Sequence, residues 1–472
     1  MDAGIPKTKL VCTIGPASEK PEMMLQMINA GMNIARLNYA HGNFAGHAKN
    51  INELRNAART AGKRLAIMAD LPGPKIRIGK LATETVELGA GDSFILTTDE
   101  ITGNKAKVSV GLANLTQVVK PGDIIFMNDG MIQVKVELIS GADIHCKVIV
   151  GGELRSFKGV NLPGLDLGIS AFTKHDYECL KSALENGVDA ISQSFVDEAK
   201  DVLAVRKAAQ KLGYNPFIVA KIERAGALER IDDILKAADC IMIGRGDLGV
   251  EINIERIAVV QKELIAKANL LGKPVITATQ MLESMVENPR PTRAEATDAA
   301  NAILDGTDCI MLSEESAMGK YPLEAVRMLV KIANATEPHR HRCSGTFDFY
   351  KPDVLHLMDI ISHNVQHMIE HLNPVFLIAH TVTGHTARMI SRFRLPVWIT
   401  AVCNEENICR QLQFSYGVES IHMPQTPQNW KDFIKATLSK DKLPDGLALL
   451  VEGPSPENPT ASHKLEIIDT TK

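Results

Sequence analysis

"FIVAKIERAGALERIDDILKAADCIMIGRGDLG" (217–249) carries two short apolar runs, Phe217–Ile222 and Cys240–Gly244, joined by a helix-like stretch. Both runs are rich in β-branched and apolar residues, the pattern of short buried strands. Both lead into charge, at Lys221-Ile222-Glu223 and Arg245-Gly246-Asp247. Working outward, the same rhythm returns at 9–14, 33–38, 64–69, 190–195, 274–279 and 309–313, which makes eight strand–helix units. The stretches between them, such as "DEAKDVLAVRKAAQKLG", are amphipathic at helical spacing. Eight such units predict a (β/α)8 TIM barrel.

A gap of about 120 residues separates the third unit from the fourth. Within it "VELGAGDSFILTT", "GDIIFMNDGMIQVKVELI" and "DIHCKVIVGG" alternate at period two, and Asp129-Gly130 is a strong hairpin-turn pair. We therefore expect a small β-barrel domain at 72–157, inserted between barrel segments 1–71 and 158–336. Its punctuation, "LPGP" going in and "KGVNLPG" (158–164) coming out, places it to act as a lid. After "EPHRHRCSG" (337–345) come a helical stretch and five further strand-like runs, which predict a separate C-terminal α/β domain at 350–472.

Composition narrows the class. Apolar content is 45%, charged content 23%, and the formal net charge is −4. That balance argues for a soluble protein and against a nucleic-acid or anionic-membrane surface. The opening "MDAGIPKTKLVCTIG" lacks an apolar signal core and no run of 18 apolar residues occurs, so a cytoplasmic location is expected. The eight cysteines are scattered without a C-x-x-C pair, which argues against disulfides or a zinc site. His363, His367 and His371 recur every fourth residue without an H-E-x-x-H acid and read as a solvated helix face.

Reactive groups of a TIM barrel stand where strands end. Read there, the sequence offers Arg36 and Asn38, Asp70, Lys221 and Glu223, Arg245 to Asp247, and Thr279. Glu223 and Asp247 are hard carboxylates without a thiol or imidazole beside them, a donor set suited to Mg2+ or Mn2+. With Arg36 and Lys221 they describe a site for a phosphorylated, acidic small molecule, where phosphoryl transfer is catalysed by positioning and charge neutralisation. "GRGDLG" (244–249) matches G-x-G-x-x-G, but no acid follows at the dinucleotide-binding offset. It reads better as a tight turn into a helix whose N–H groups at Gly246 and Asp247 receive a carboxylate.

"CTIGPAS", "MNIARLNYAHG", "KGVNLPG", "AKIERAGAL", "IGRGDLGVEI", "KPVITATQMLESM" and "PRPTRAEATDAANAILDGTDCIMLSEESAMGKYPLEAV" together resemble the pyruvate kinase family, in order from Lys7 to Glu337. "TGHTARMISRFR" extends the resemblance more loosely into the C-terminal region. The resemblance implies phosphoryl transfer from phosphoenolpyruvate to ADP, giving pyruvate and ATP in the last step of glycolysis. It implies that Lys221 neutralises the moving phosphoryl group and that Glu223 and Asp247 hold Mg2+ (or Mn2+). It also implies that Arg36 grips the phosphate and that Gly246, Asp247 and Thr279 receive the substrate carboxylate. By the same likeness Asn38, Tyr39, Ala40, His41, Arg77 and Lys158 meet the nucleotide, Thr279 is a candidate proton donor through water, and the assembly is an allosteric homotetramer.

Three departures stand out. Most of the family holds K+ with the asparagine and serine of N-F-S-H-G and the opening aspartate and threonine of D-T-K-G-P-E-I-R. Here the stretches read Asn38-Tyr39-Ala40-His41-Gly42 and Asp70-Leu71-Pro72-Gly73-Pro74-Lys75-Ile76-Arg77. A hydroxyl ligand is gone at Ala40, Leu71 offers only its carbonyl, and a permanent cation arrives at Lys75. The expectation is that the Lys75 ammonium replaces K+. Secondly, Glu314 stands where the family usually has glycine. Thirdly, "HTVTGHTA" (380–387) replaces a T-x-S-G-R-S-like phosphate loop, leaving Thr381, Thr383, Gly384, His385 and Thr386 as a candidate site for a sugar-phosphate effector. The rival readings are a phosphoenolpyruvate-using lyase and a catalytically silent metabolite sensor.

Overall fold

The structure, a computed structural model, describes residues 4–128, 130–165, 168–340, 356–440, 442–453 and 462–472. Asp129 of the expected hairpin pair, Cys343 and the expected start of the C-terminal domain at 350 lie outside these residues.

Eight parallel strands close into a barrel: Lys9–Thr13, Met32–Asn38, Ala66–Leu71, Ala190–Gln193, Phe217–Ile222, Cys240–Gly244, Val275–Ala278 and Cys309–Leu312. Nearly every strand residue is buried because each strand faces helices outside and other strands inside. The inner layer is packed with Val11, Ile34, Met68, Val219, Met242, Ile276 and Met311, so no pore runs through it. At the floor it is plugged from the C-terminal domain by Phe414, whose ring lies 5.1 Å from that of Phe217. Chemistry is thereby confined to the opposite, carboxyl-terminal rim. The third strand runs two residues beyond its expected limit and carries Asp70 and Leu71 within it.

The inserted domain forms a six-stranded sheet in the order Val160–Asn161, Ile124–Met127, Ile132–Ser140, Asp143–Val150, Ser93–Thr97 and Lys107–Ser109. A two-stranded sheet, Thr85–Leu88 with Gly152–Arg155, adjoins it, and a separate apolar core around Phe94, Leu96, Ile125 and Val134 holds the domain together. Its two linkers pair with each other. Arg77 bridges Gly159 antiparallel, Ile78 N–H donates to Lys158 O at 3.0 Å, and Val160 N–H donates to Ile76 O at 2.9 Å. Any hinge motion therefore moves both linkers together.

The incoming linker is also pinned to the barrel. Gly73 lies at φ 66, where a Cβ would stand 3.0 Å from Phe195 and 3.1 Å from Ser194. Only glycine meets both demands. Its N–H donates to Asp176 Oδ1 at 2.9 Å, while the same carboxylate closes the capping box of helix Lys174–Glu185 with Thr173.

The C-terminal domain is a five-stranded sheet ordered Val418–His422, Ile399–Cys403, Phe376–His380, Leu447–Glu452, Lys464–Asp469, the last strand antiparallel. It is riveted to the barrel floor by Arg394, held at φ 52, whose buried guanidinium donates to Gly306 O at 2.8 Å and Asp308 Oδ1 at 2.9 Å. The seven described cysteines are free and buried. Among the described residues no helix is long and apolar enough to cross a membrane.

Candidate active site

The rim gathers charge from four strands. Arg36, near the end of the second strand, is 9% exposed. Its Nε and Nη2 donate to one oxygen, Asp70 Oδ2, at 2.9 and 2.6 Å, and Nη1 donates to Thr13 Oγ1 at 2.9 Å. Thr13 in turn donates to Leu312 O, so the first and eighth strands fix the fork. Lys221, on the fifth strand, points its ammonium at Glu223 Oε1 (2.9 Å), Ser194 Oγ (2.8 Å) and Asp70 Oδ2 (3.5 Å). The Ser194 hydroxyl itself donates to Leu71 O at 2.7 Å, directly before the linker into the inserted domain. Two buried cations thus share one Asp70 oxygen.

The charge states follow from this sharing. Burial, the largest influence, would lift the Asp70 carboxyl, but Lys221 and Arg36 hold it below the usual range. Burial would likewise lower Lys221, yet Asp70 and Glu223 together raise it, so its ammonium stays charged. Glu223 is lifted by burial; Lys221 opposes the lift and the nearby charge of Asp247 adds to it. A buried carboxylate raised by a second carboxylate is a pair short of positive charge. This donor set fits a hard divalent cation, for which Glu223 and Asp247 are the candidate ligands.

Backbone geometry holds these groups in place. Glu223 Oε2 accepts Phe195 N–H at 3.0 Å, with Phe195 in the left-handed region at φ 56. The sixth strand can approach Glu223 only because residue 244 is glycine; a Cβ there would stand 2.6 Å from Glu223 Cγ. Thr279 lies at φ 68 and Gln280 at φ 52, strained for side-chain-bearing residues at a cost of order 1–3 kcal/mol each. Arg245 holds this turn, donating to Thr279 O at 2.8 Å while pairing with Asp298 at 2.7 Å. Thr279 Oγ1 accepts Gly246 N–H at 2.8 Å, so that donor is engaged by protein here.

From the hinge, Lys75 Nζ reaches to 3.9 Å from Asp247 Oδ1, both side chains about a third exposed. It shares with Asn161, Phe195, Arg224, Asp247 and Glu251 a cleft between the linkers of the inserted domain and the barrel. Asp70, expected with Lys75 at the monovalent-cation site, gives Oδ2 to Arg36 and Lys221 and leaves Oδ1 without a hydrogen bond among the described residues. Among the residues expected to meet the nucleotide, Asn38 Oδ1 accepts Ala40 N–H at 3.1 Å, and Ala40 and His41 are exposed at the rim. The Tyr39 ring turns inward, 5% exposed and stacked 4.1 Å from His47. Arg77 donates to Phe157 O at 2.9 Å, and it and Lys158 stand on the paired linkers. In the C-terminal loop Thr383 and His385 are exposed while Thr381 and Thr386 are buried, and Gly384 takes φ 79.

Thr13, Ser194 and the Phe195 N–H escaped the reading of the sequence, which offered Arg245 at a strand end without a role. Thr13 and Ser194 follow the same strand-end rule as the others, on the first and fourth strands. A hydroxyl closing a buried apolar run was the signal available.

Comparison with known proteins places these features among relatives. The family model described as "Pyruvate kinase, barrel domain" matches residues 5–326, and that described as "Pyruvate kinase, alpha/beta domain" matches 359–461. A pyruvate kinase of Thermococcus litoralis is 45% identical over 433 residues, 91% of either chain. One of Geobacillus stearothermophilus is 39% identical over 465 residues, covering 97% of this chain and 79% of that one. The crystal structure of a pyruvate kinase from Cryptosporidium parvum superposes with a TM-score of 0.91 at 32% identity, covering 98% of this chain and 96% of that one.

Proposed function

The chain belongs to the pyruvate kinase family and is a phosphotransferase, and from that premise we propose how its own residues carry out the reaction and which ions they need. The observation that carries the reading is the array Arg36–Asp70–Lys221–Glu223, every contact within 3.5 Å, on the carboxyl-terminal rim of the barrel.

Phosphoenolpyruvate brings its phosphate to Arg36 and its carboxylate to the turn of Gly246, Asp247 and Thr279. Lys221 stands over the bridging oxygen and neutralises charge as the phosphoryl group leaves and the enolate forms. Glu223 and Asp247 hold Mg2+ or Mn2+, which when bound supplies Lewis-acid neutralisation of the substrate oxygens. ADP lies along Asn38, Ala40 and His41, and lid closure carries Arg77 and Lys158 toward it. Asp70 and Ser194 position Arg36 and Lys221 without touching substrate. Thr279, through water, delivers a proton to the enolate.

Lys75 does the work of a monovalent cation, so K+ is not required. Its ammonium sits 3.9 Å from Asp247, in the cleft where the phosphates would collect, and Ala40 leaves a K+ cage one hydroxyl short. The enzyme works in the cytoplasm as a homotetramer, and the exposed Thr383 and His385 receive a sugar-phosphate effector. A coupled pyruvate assay with phosphoenolpyruvate, ADP and Mg2+ at constant ionic strength tests the reading. We expect full turnover without K+ and K+-dependent turnover in Lys75→Glu. Strong K+ activation of the wild type would overturn the role of Lys75 while leaving the reaction intact; absence of ADP-dependent ATP formation would overturn the reaction.

A further inference from the structure

Helix Leu357–Leu372 buries Met358, Ser362, Val365 and Ile369 and turns its other face to solvent. In its last turns that face presents His367, Glu370 and His371, at i, i+3 and i+4. One ligand atom from each lies within 4.8 Å of the other two, the only such group among the described residues. The imidazole centroids are 4.3 Å apart. His371 Nδ1 lies 2.9 Å from His367 O. A carbonyl can only accept, so Nδ1 carries a proton and the neutral ring has its lone pair on Nε2, the tautomer and second-shell contact a metal-ligating histidine uses. Gln366 donates to Glu370 Oε1 at 3.5 Å from the preceding turn. His363 is drawn away, edge-on to Phe393 at 6.1 Å. The ladder of three histidines in the sequence is thus, in space, two imidazoles and a carboxylate.

We propose that His367, Glu370 and His371 form a surface site for a borderline divalent transition metal, Zn2+ foremost, with water completing a tetrahedron. Two imidazole nitrogens select Zn2+, Co2+ or Ni2+ over Mg2+, whereas Glu223 and Asp247 offer only hard oxygens. The two sites therefore take different ions. A dication here also lies at the helix carboxyl terminus, where unsatisfied carbonyls favour positive charge. The helix ends directly afterwards at Asn373, φ 46. Binding clips one helical turn, so it stabilises the C-terminal domain by mass action.

The test is Zn2+ uptake by equilibrium dialysis of the untagged full-length protein, in saturating Mg2+ so that the carboxylate site is filled, together with thermal unfolding. The wild type should bind one more Zn2+ per chain than the double variant His367→Ala/His371→Ala. Its melting temperature should rise with Zn2+ while that of the double variant does not. Glu370→Gln should weaken binding by roughly tenfold or more, and His363→Ala should leave it unchanged. Turnover without Zn2+ should be equal in the wild type and all three variants. Equal Zn2+ uptake by the wild type and the double variant, or loss of uptake in His363→Ala, would overturn the site.

Discussion

Replacing Lys221 by alanine separates metal binding from turnover. Its ammonium stands 2.9 Å from Glu223 and 3.5 Å from Asp70, 11% exposed, so solvent screens it little. At an effective dielectric near 20, Coulomb's law gives roughly 6 and 5 kcal/mol for those separations, before the cost of burying the charges. The same ammonium about 4 Å from the moving phosphoryl charge is worth about 4 kcal/mol, or about a thousandfold in rate. Lys221→Ala should therefore lose about three orders of magnitude in kcat. Removing the cation also frees Glu223 Oε1, so less Mg2+ should be needed for half-saturation, not more. Arg36 still pairs with Asp70, and the fold should persist. Steady-state kinetics by coupled pyruvate detection and Mg2+ titration by calorimetry read both effects. A kcat within tenfold of wild type, in a folded variant, would refute the charge-neutralising role. Weaker Mg2+ binding would refute the competition at Glu223.

Four further outcomes follow from particular contacts. Ser194→Ala removes the 2.8 Å acceptor that aims Lys221 and should lower kcat by roughly tenfold, the worth of one hydrogen bond to a charged group, with Ser194→Thr restoring part of it. Gly244→Ala sets a Cβ 2.6 Å from Glu223 Cγ and should raise the Mg2+ needed for half-saturation with little change in the affinity for ADP. Glu283 is pushed up to about 7 by burial and by Glu315, Glu314 and Glu295. A carboxyl raised in the folded state stabilises fully below its unfolded value of 4.5 and loses that contribution as pH rises through about 7. Glu283→Gln should accordingly raise the melting temperature relative to wild type at alkaline pH and not below pH 4.5, as pH-resolved thermal unfolding would show. Arg394→Ala strands the buried Asp308 and should cost about 3–5 kcal/mol in denaturant unfolding.

Much of this protein was legible in one dimension. Strand residues 217–222 and 240–244 are apolar on both faces, and only a sheet covered on both sides hides such runs; that periodicity, repeated eight times, predicted the barrel. Lys221, Glu223 and Asp247 were legible because charge at the end of a buried run is costly unless it serves a site. The inserted sheet announced itself by its period of two, and the C-terminal strands by their apolar runs.

Closure of the barrel decided the rest. Thr13 meets Arg36 across 23 residues, Ser194 meets Lys221 across 27, and Asp70 lies 34 residues from Arg36; hydrogen bonds over such separations leave no local trace in sequence. That Arg36 and Lys221 both converge on Asp70 Oδ2 was not visible in the sequence. The inward turn of the Tyr39 ring onto His47 likewise had no local sign. His363, His367 and His371 looked alike until Phe393 claimed the first and Glu370 joined the others. Composition and period set which elements form and which residues carry charge. Which charges neutralise one another depends on distances of 3 to 4 Å between strands far apart in the chain, and those exist only once the chain has folded.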